Sequence, residues 1–87
     1  VIGSENLVAG DRNALEGDKN AVGGSDNTVK GSNNAVIGDK NAILNGNSNQ
    51  VNGNSNLIKN GDNNVIEGSE NLVDGHGNKL KANSSTV

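Results

Sequence analysis

Aliphatic residues recur along this chain at intervals of seven, with two intervals of eight, and each is preceded two residues earlier by a polar residue that is almost always Asn. The repeating unit begins with Gly, has a small polar residue at its second position, Asn at its fourth and Val, Ile or Leu at its sixth. Eleven units begin with Gly, at positions 3, 10, 17, 24, 31, 38, 46, 53, 61, 68 and 75, and a twelfth begins with Ala82. Self-similarity at a fixed period predicts a repeat architecture.

A seven-residue period is also typical of coiled coils, but this unit does not fit one. A coiled coil needs apolar residues at two positions of each heptad, whereas this unit has one invariant aliphatic position. Gly in every unit would also cost a helix about 1 kcal/mol relative to Ala. The pattern instead indicates a short strand. Asn and the aliphatic residue two places later lie on its inward face, and the fifth and seventh residues lie on its outward face.

One unit thus supplies one strand and one turn, and two units supply one flattened coil. We predict that residues 1–87 form a single all-β domain, a β-solenoid (β-roll) of about six coils of 14–15 residues with two parallel sheets. The inward aliphatic residues form the predicted core: Val1, Val8, Leu15, Val22, Val29, Val36, Ile43, Val51, Ile58, Ile66, Val73, Leu80 and Val87.

Inward Asn side chains are expected to stack about 4.8 Å apart in successive coils, so that their amides hydrogen-bond in ladders along the solenoid. The ladder residues are Asn6, Asn13, Asn20, Asn27, Asn34, Asn41, Asn49, Asn56, Asn64, Asn71 and Asn78. Two units, NAILNG (41–46) and NLIKNG (56–61), contain one extra residue between the aliphatic position and the next Gly. An insertion there lengthens the turn or makes a bulge without shifting the inward residues.

The second residue of each unit is predicted to lie in a turn and to hydrogen-bond to nearby backbone groups. Along one edge these residues are Ser4, Asp18, Ser32, Asn47, Asp62 and His76, and along the other Asp11, Ser25, Asp39, Asn54, Ser69 and Asn83. Because no two Asp residues would be neighbours in either column, they would not share one metal ion. We therefore expect no metal or other cofactor, and His76 is interpreted as a turn residue.

Composition argues against several classes of function. The chain has no Cys and one His, and its Ser residues occupy repeated turn positions, so we expect no enzyme. A net charge of −3, with seven scattered Lys and Arg residues, argues against nucleic-acid binding. No apolar run approaches the length of a membrane span. Without an initial Met or a signal-like segment, the chain is expected to be a processed or excised domain. The sequon Asn83-Ser84-Ser85 is compatible with a secreted, extracellular protein.

The units GSNNAVIG and GSDNTVKG, and the mixture of N-x-V-x-G with the longer N-x-V-x-x-G, resemble the repeats of the grass ice-recrystallisation-inhibition proteins. This is a family of plant antifreeze proteins whose repeats form a β-roll, and the resemblance covers the whole chain. It implies that the partner is an ice crystal surface and that the protein inhibits ice recrystallisation. The heads of trimeric autotransporter adhesins are also similar, although they favour Ser or Ala where this chain has Asn.

Alternate units fall on alternate faces of the predicted solenoid. One face is uncharged from its first coil to Val65 and is the predicted ice-binding surface, because flat, weakly polar surfaces without strongly hydrated charges suit ordered water. Its residues are Leu7, Ala9, Ala21, Gly23, Ala35, Ile37, Gln50, Asn52 and Val65. The opposite face carries charges, and there Glu16 with Lys30 and Lys59 with Asp74 are predicted cross-strand pairs.

Outward Thr and Ser are scarcer here than in the family, so we expect inhibition of crystal growth rather than deep freezing-point depression. Outward Ala and Leu also fit a purely structural solenoid. A second alternative is a self-assembling, amyloid-like fibril in which chains stack head to tail. Val1 and Val87 both occupy the inward aliphatic position of the repeat, and no capping segment is visible. An adhesin-head-like β-roll, which would be expected to form trimers, is the third.

Overall fold

The computed structural model describes residues 2–87, which contain strands and turns and no helix. Each strand is three residues long, with its middle side chain inward, as the alternation of the sequence predicts. The strands are β1 (Leu7–Ala9), β2 (Ala14–Glu16), β3 (Ala21–Gly23), β4 (Thr28–Lys30), β5 (Ala35–Ile37), β6 (Ala42–Leu44), β7 (Gln50–Asn52), β8 (Leu57–Lys59), β9 (Val65–Glu67), β10 (Leu72–Asp74) and β11 (Lys79–Lys81).

Odd-numbered and even-numbered strands form separate parallel sheets. The first sheet has six strands in the order β1-β3-β5-β7-β9-β11, and the second has five in the order β10-β8-β6-β4-β2. Isolated bridges from Ile2 to Glu16 and from Leu72 to Thr86 extend the second sheet at both ends. The chain therefore forms a β-solenoid of about five turns rather than six, with principal extents of 31 × 22 × 13 Å.

The core is one cluster of aliphatic side chains that both sheets contribute to the space between them. Nine of the predicted residues are buried: Leu15, Val22, Val29, Val36, Ile43, Val51, Ile58, Ile66 and Val73. Val8 and Leu80 pack against this cluster but are only partly buried. The prediction is wrong for Val87, whose exposed fraction is 46%, because no further coil covers it in the described chain. Val1 lies outside the described residues.

Each corner combines two backbone conformations that side chains disfavour. Nine of the eleven Gly residues that open a unit have φ between about +121° and +148°, a region open essentially to Gly alone, and the two exceptions, Gly46 and Gly61, each follow an inserted Asn. In nearly every unit the third residue has a left-handed backbone although it is not Gly, as in Arg12 (φ 56°) and Lys19 (φ 60°). The corner also brings backbones close together, since a Cβ placed on Gly31 would overlap the carbonyl oxygen of Gly46 in the next coil.

The two inserted residues, Asn45 and Asn60, stack at the same corner of neighbouring coils, where the Asn60 amide donates to Leu44 O at 2.9 Å. Both are left-handed, with φ of 58° and 50°, a conformation that Asn tolerates better than most residues. The strand register passes through the insertion unchanged, since Val36 pairs with Val51 as Val22 pairs with Val36. The prediction that the extra residue is absorbed at the corner is confirmed.

Candidate functional site

The outward surface of the six-stranded sheet, here called the six-strand face, consists of two straight columns of side chains. One column is formed by the first residue of each strand and the other by the third residue. In-register pairing of Leu7 with Ala21, and of Ala21 with Ala35, shows how each column is built. Neighbours within a column are about 4.8 Å apart and the two columns are roughly 6.7 Å apart, which gives a two-dimensional grid.

The structure brings all nine predicted site residues together on this face. Five of them belong to one column: Leu7, Ala21, Ala35, Gln50 and Val65. The other four belong to the second: Ala9, Gly23, Ile37 and Asn52. None carries a charge, and charged residues enter the face only at Glu67 of β9 and at both outward positions of β11. There Lys81 Nζ lies 3.6 Å from Glu67 Oε2. The uncharged grid thus spans β1, β3, β5 and β7.

The N-terminal part of the grid contains a shallow apolar groove. Small residues form its floor, and Gly23 leaves open space in the middle of it, since a Cβ there would meet no atom within 4 Å. Leu7 and Ile37 rise on either side of the floor and are 70% and 62% exposed. A second shallow groove continues along β7 and β9. The six-strand face is therefore regular in spacing but uneven in height at these two residues.

The outward surface of the five-stranded sheet, the five-strand face, carries the charged column that the sequence predicts. Glu16 pairs in register with Lys30, and Asp74 with Lys59. Neither pair forms a salt bridge within 4.0 Å among residues 2–87. These side chains are exposed, so their charged ends remain in water rather than converging. The predicted neighbours are confirmed, but a close ion pair is not formed.

Beneath both faces, the inward Asn residues hold the coils in register. In each of the ten ladder residues from Asn6 to Asn71, Nδ2 donates to the carbonyl of the corner residue in the next coil. The same ten side chains accept, through Oδ1, the backbone N–H of the residue stacked above. Within residues 2–87, no buried side-chain nitrogen or oxygen lacks a partner. The predicted ladder is confirmed for these ten residues, which also fix the corners, whereas the side chain of the eleventh, Asn78, makes no such bond within residues 2–87.

A second set of hydrogen bonds runs in the opposite direction at the corners. The second residue of a unit accepts, through its side chain, the backbone N–H of the equivalent residue one coil earlier, as Asp18 Oδ1 does from Ser4 at 2.8 Å. Asp39, Asn47, Asn54, Asp62 and Asn83 do the same. His76 takes this role with Nδ1, which accepts the Asp62 N–H at 3.0 Å. The interpretation of His76 as a turn residue is confirmed.

A close Arg–carboxylate pair lies at a corner and was not predicted. Arg12 Nε is 2.7 Å from Asp26 Oδ1, and Arg12 Nη2 is 3.3 Å from Asp26 Oδ2, so the pair is bidentate. The hydrogen bond from Arg12 lowers the pKa of the Asp26 carboxyl, and the charges of Arg12 and Lys40 act in the same direction. Hydrogen bonding to Asp26, with the attraction of its charge, raises the pKa of Arg12. The sequence does contain a signal for this pair, because Arg12 and Asp26 carry opposite charges at equivalent positions 14 residues apart.

Within the described residues, no group of three or more His, Cys, Asp or Glu side chains is arranged to hold a metal ion. No described helix has the length and apolar character of a membrane span. Comparison of the sequence with protein-family models and with curated proteins gives no match.

Proposed function

We propose that this protein binds ice through the six-strand face and inhibits ice recrystallisation. The observation that carries the proposal is the in-register stacking of uncharged outward residues over β1, β3, β5 and β7. A surface that holds water in a lattice needs regular spacing in two directions. The parallel ladder supplies the regular spacing along the solenoid, and the alternation of side chains within each strand supplies it across the sheet.

The side chains of this grid favour adsorption onto a solid surface because little freedom is lost there. Ala and Gly contribute no side-chain rotamer entropy, and Ala9, Ala21, Gly23 and Ala35 occupy four of the six outward positions of β1, β3 and β5. The backbone beneath them is already ordered by the sheet and the Asn ladder. Preorganised surfaces lose less entropy on binding, so a weak contact repeated over several strands can still give net adsorption.

Charge distribution favours the six-strand face over the five-strand face. A charged side chain holds its hydration water strongly, and removing or reordering that water costs free energy. Glu16, Lys30, Lys59 and Asp74 all project from the five-strand face, spread over its whole length. On the six-strand face the charges are confined to β9 and β11. Growth inhibition, rather than deep freezing-point depression, matches a grid that contains Leu, Ile and Ala in place of hydroxyl groups.

An ice-recrystallisation assay on matched variants tests the proposal. Ala21→Tyr and Ala35→Tyr place a large ring on the six-strand face, while Ala14→Tyr and Ala42→Tyr place the same ring on the five-strand face. The members of each pair share their exposure, since Ala21 and Ala14 are exposed and Ala35 and Ala42 are half-buried. We expect the first two variants to lose most of the inhibition seen at a given protein concentration and the second two to retain it.

Far-ultraviolet circular dichroism and the melting temperature of each variant provide the control for folding. If all four variants remain folded and inhibit recrystallisation equally, the six-strand face is not the binding surface. Absence of inhibition by the wild-type protein would contradict ice binding altogether. Loss confined to the Ala14 and Ala42 variants would transfer the site to the five-strand face.

A further inference from the structure

Asn83 differs from every other Asn of the chain because it alone begins an Asn-x-Ser/Thr sequence, Asn83-Ser84-Ser85. Two other units have Asn at the same second position and Ser at the third, in the sequences NSN at 47–49 and 54–56. In both of these the fourth residue is the ladder Asn. The last unit has Ser85 there instead, so the single break in the Asn ladder is also what creates this sequence.

The fold leaves the amide nitrogen of Asn83 free. Asn83 is exposed at a corner, where its Oδ1 accepts the Ser69 N–H at 2.9 Å. No hydrogen bond from Asn83 Nδ2 is found among residues 2–87. The ladder residues differ in this respect, because in Asn71, for example, Nδ2 donates to Ala82 O at 2.7 Å and the side chain is 2% exposed. A substituent on Nδ2 of Asn83 would break no hydrogen bond within residues 2–87.

Ser85 stays in register although it replaces Asn. Its backbone N–H donates to Asn71 Oδ1 at 2.9 Å, as the ladder residues do, and Ser84 adopts the left-handed conformation of the equivalent third residues, with φ of 57°. The sequence Asn83-Ser84-Ser85 therefore lies in an ordinary corner of the solenoid. Asn83 also projects from an edge column rather than from a sheet face, so a bulky group there would cover neither face.

We propose that Asn83 is the acceptor of an asparagine-linked oligosaccharide. The donor class is an oligosaccharide joined to a lipid diphosphate. Nδ2 of Asn83 forms a bond to the anomeric carbon of the first sugar, the bond from that carbon to the diphosphate oxygen breaks, the lipid diphosphate leaves, and Nδ2 loses one proton. The product keeps the amide carbonyl, so Oδ1 can still accept the Ser69 N–H. Asn-x-Ser/Thr acceptors of this kind lie on exposed turns, as Asn83 does.

Secretion of the chain from eukaryotic cells, followed by intact-mass measurement and glycopeptide mapping, tests the proposal. We expect one glycan on the wild-type protein, attached at Asn83 and removed by a peptide N-glycosidase. Asn83→Gln should remove it. Ser85→Asn is the sharper variant, because it restores the NSN sequence of units 47–49 and 54–56 and keeps Asn83 in place, yet should abolish modification. Ser85→Thr keeps the acceptor sequence and should keep the glycan.

Circular dichroism of the secreted variants shows that each is folded as the wild type is. A secreted wild-type protein with no glycan at Asn83 would overturn the proposal. So would an unchanged glycan on the Asn83→Gln or Ser85→Asn variant, since the modification would then depend on another residue. The outcome is independent of ice binding, which is measured on the unmodified protein.

Discussion

Asn34 Oδ1 accepts the backbone N–H of Asn49, one coil further along, at 3.0 Å, while Asn34 Nδ2 donates to Gly46 O at 3.0 Å. One buried side chain thus satisfies a strand and a corner of the following coil. Replacement of Asn34 by Ala would leave both backbone groups without partners. Since each unsatisfied buried group costs about 1–3 kcal/mol, we expect Asn34→Ala to lower the free energy of unfolding by about 3 kcal/mol.

Asn78→Ala is the matched control for the Asn34 substitution. The Asn78 side chain is half-buried and makes no ladder bond to a following coil within residues 2–87, whereas its backbone N–H still donates to Asn64 Oδ1. We expect this variant to lose less than about 1 kcal/mol in urea unfolding followed by circular dichroism. Equal losses for the two variants would show that the ladder bonds do not stabilise the fold.

Gly31 lies at a corner and Gly23 lies in a strand, so replacing each of them by Ala compares the two kinds of position. At Gly31, φ is +136° and an added Cβ would overlap the Gly46 carbonyl, so Gly31→Ala should cost more than the roughly 1–3 kcal/mol of backbone strain alone. Gly23 lies in β3 with open space around it, and Gly23→Ala should leave the melting temperature unchanged or slightly raised. A well-folded Gly31→Ala variant with unchanged melting temperature would contradict the close approach of the coils.

The Arg12–Asp26 pair predicts a pH dependence of stability. Because Arg12 lowers the pKa of Asp26 in the folded state, the pair stabilises the fold fully above the pKa of an unfolded Asp, about 3.9. That stabilisation is lost as the pH falls through the lower, folded-state pKa. Asp26→Asn removes the charge and keeps a residue suited to the φ of 60° found at this position. We expect its melting temperature to lie below that of the wild type at pH 7 and the difference to shrink below about pH 4.

Salt provides an independent check on this pair. Because both side chains are exposed, added salt should screen their attraction and reduce the same difference at pH 7. A gap between wild type and Asp26→Asn that is constant from pH 7 to pH 3 would show that the ion pair does not act as described.

The inserted Asn60 gives a fourth prediction. A β-branched side chain is disfavoured in the left-handed conformation that Asn60 adopts, so Asn60→Val should lower the free energy of unfolding by about 1–2 kcal/mol. Asn60→Gly can adopt the same φ and should be close to wild type in thermal unfolding. If the Val variant is as stable as the Gly variant, the left-handed backbone at position 60 does not determine which residues are tolerated there.

The sheets and their faces were predictable because the unit repeats one strand with a strict alternation of inward and outward residues. Ala21 and Ala35, for example, are assigned to the same column by counting two units along the sequence. The insertions did not disturb this count, since they lie outside the strands. The overestimate of one coil and the exposed Val87 have a common cause. Counting assigns every unit to a coil, whereas an end unit is covered on one side only.

The conformation of the third residue of each unit could not be predicted. Arg12, Lys19 and Ser48 share no property that marks a left-handed backbone, and what they have in common is only their position between a Gly two residues earlier and an inward Asn one residue later. The sequence also did not show which oppositely charged residues form salt bridges. Glu5 and Lys19 have the same spacing as Arg12 and Asp26 but form no salt bridge within 4.0 Å among residues 2–87. Spacing places opposite charges at equivalent positions of neighbouring coils, but it does not determine whether a close pair forms.

Each coil contacts only the coil before it and the coil after it, as the pairing of β3 with β1 and β5 illustrates. The fold therefore has no closed interior whose volume limits the chain. Duplicating a pair of seven-residue units, such as residues 24–37, adds one strand to each sheet and leaves every existing contact type in place. The uncharged grid is thus modular, and its area can be lengthened or shortened in steps of one coil by editing the gene.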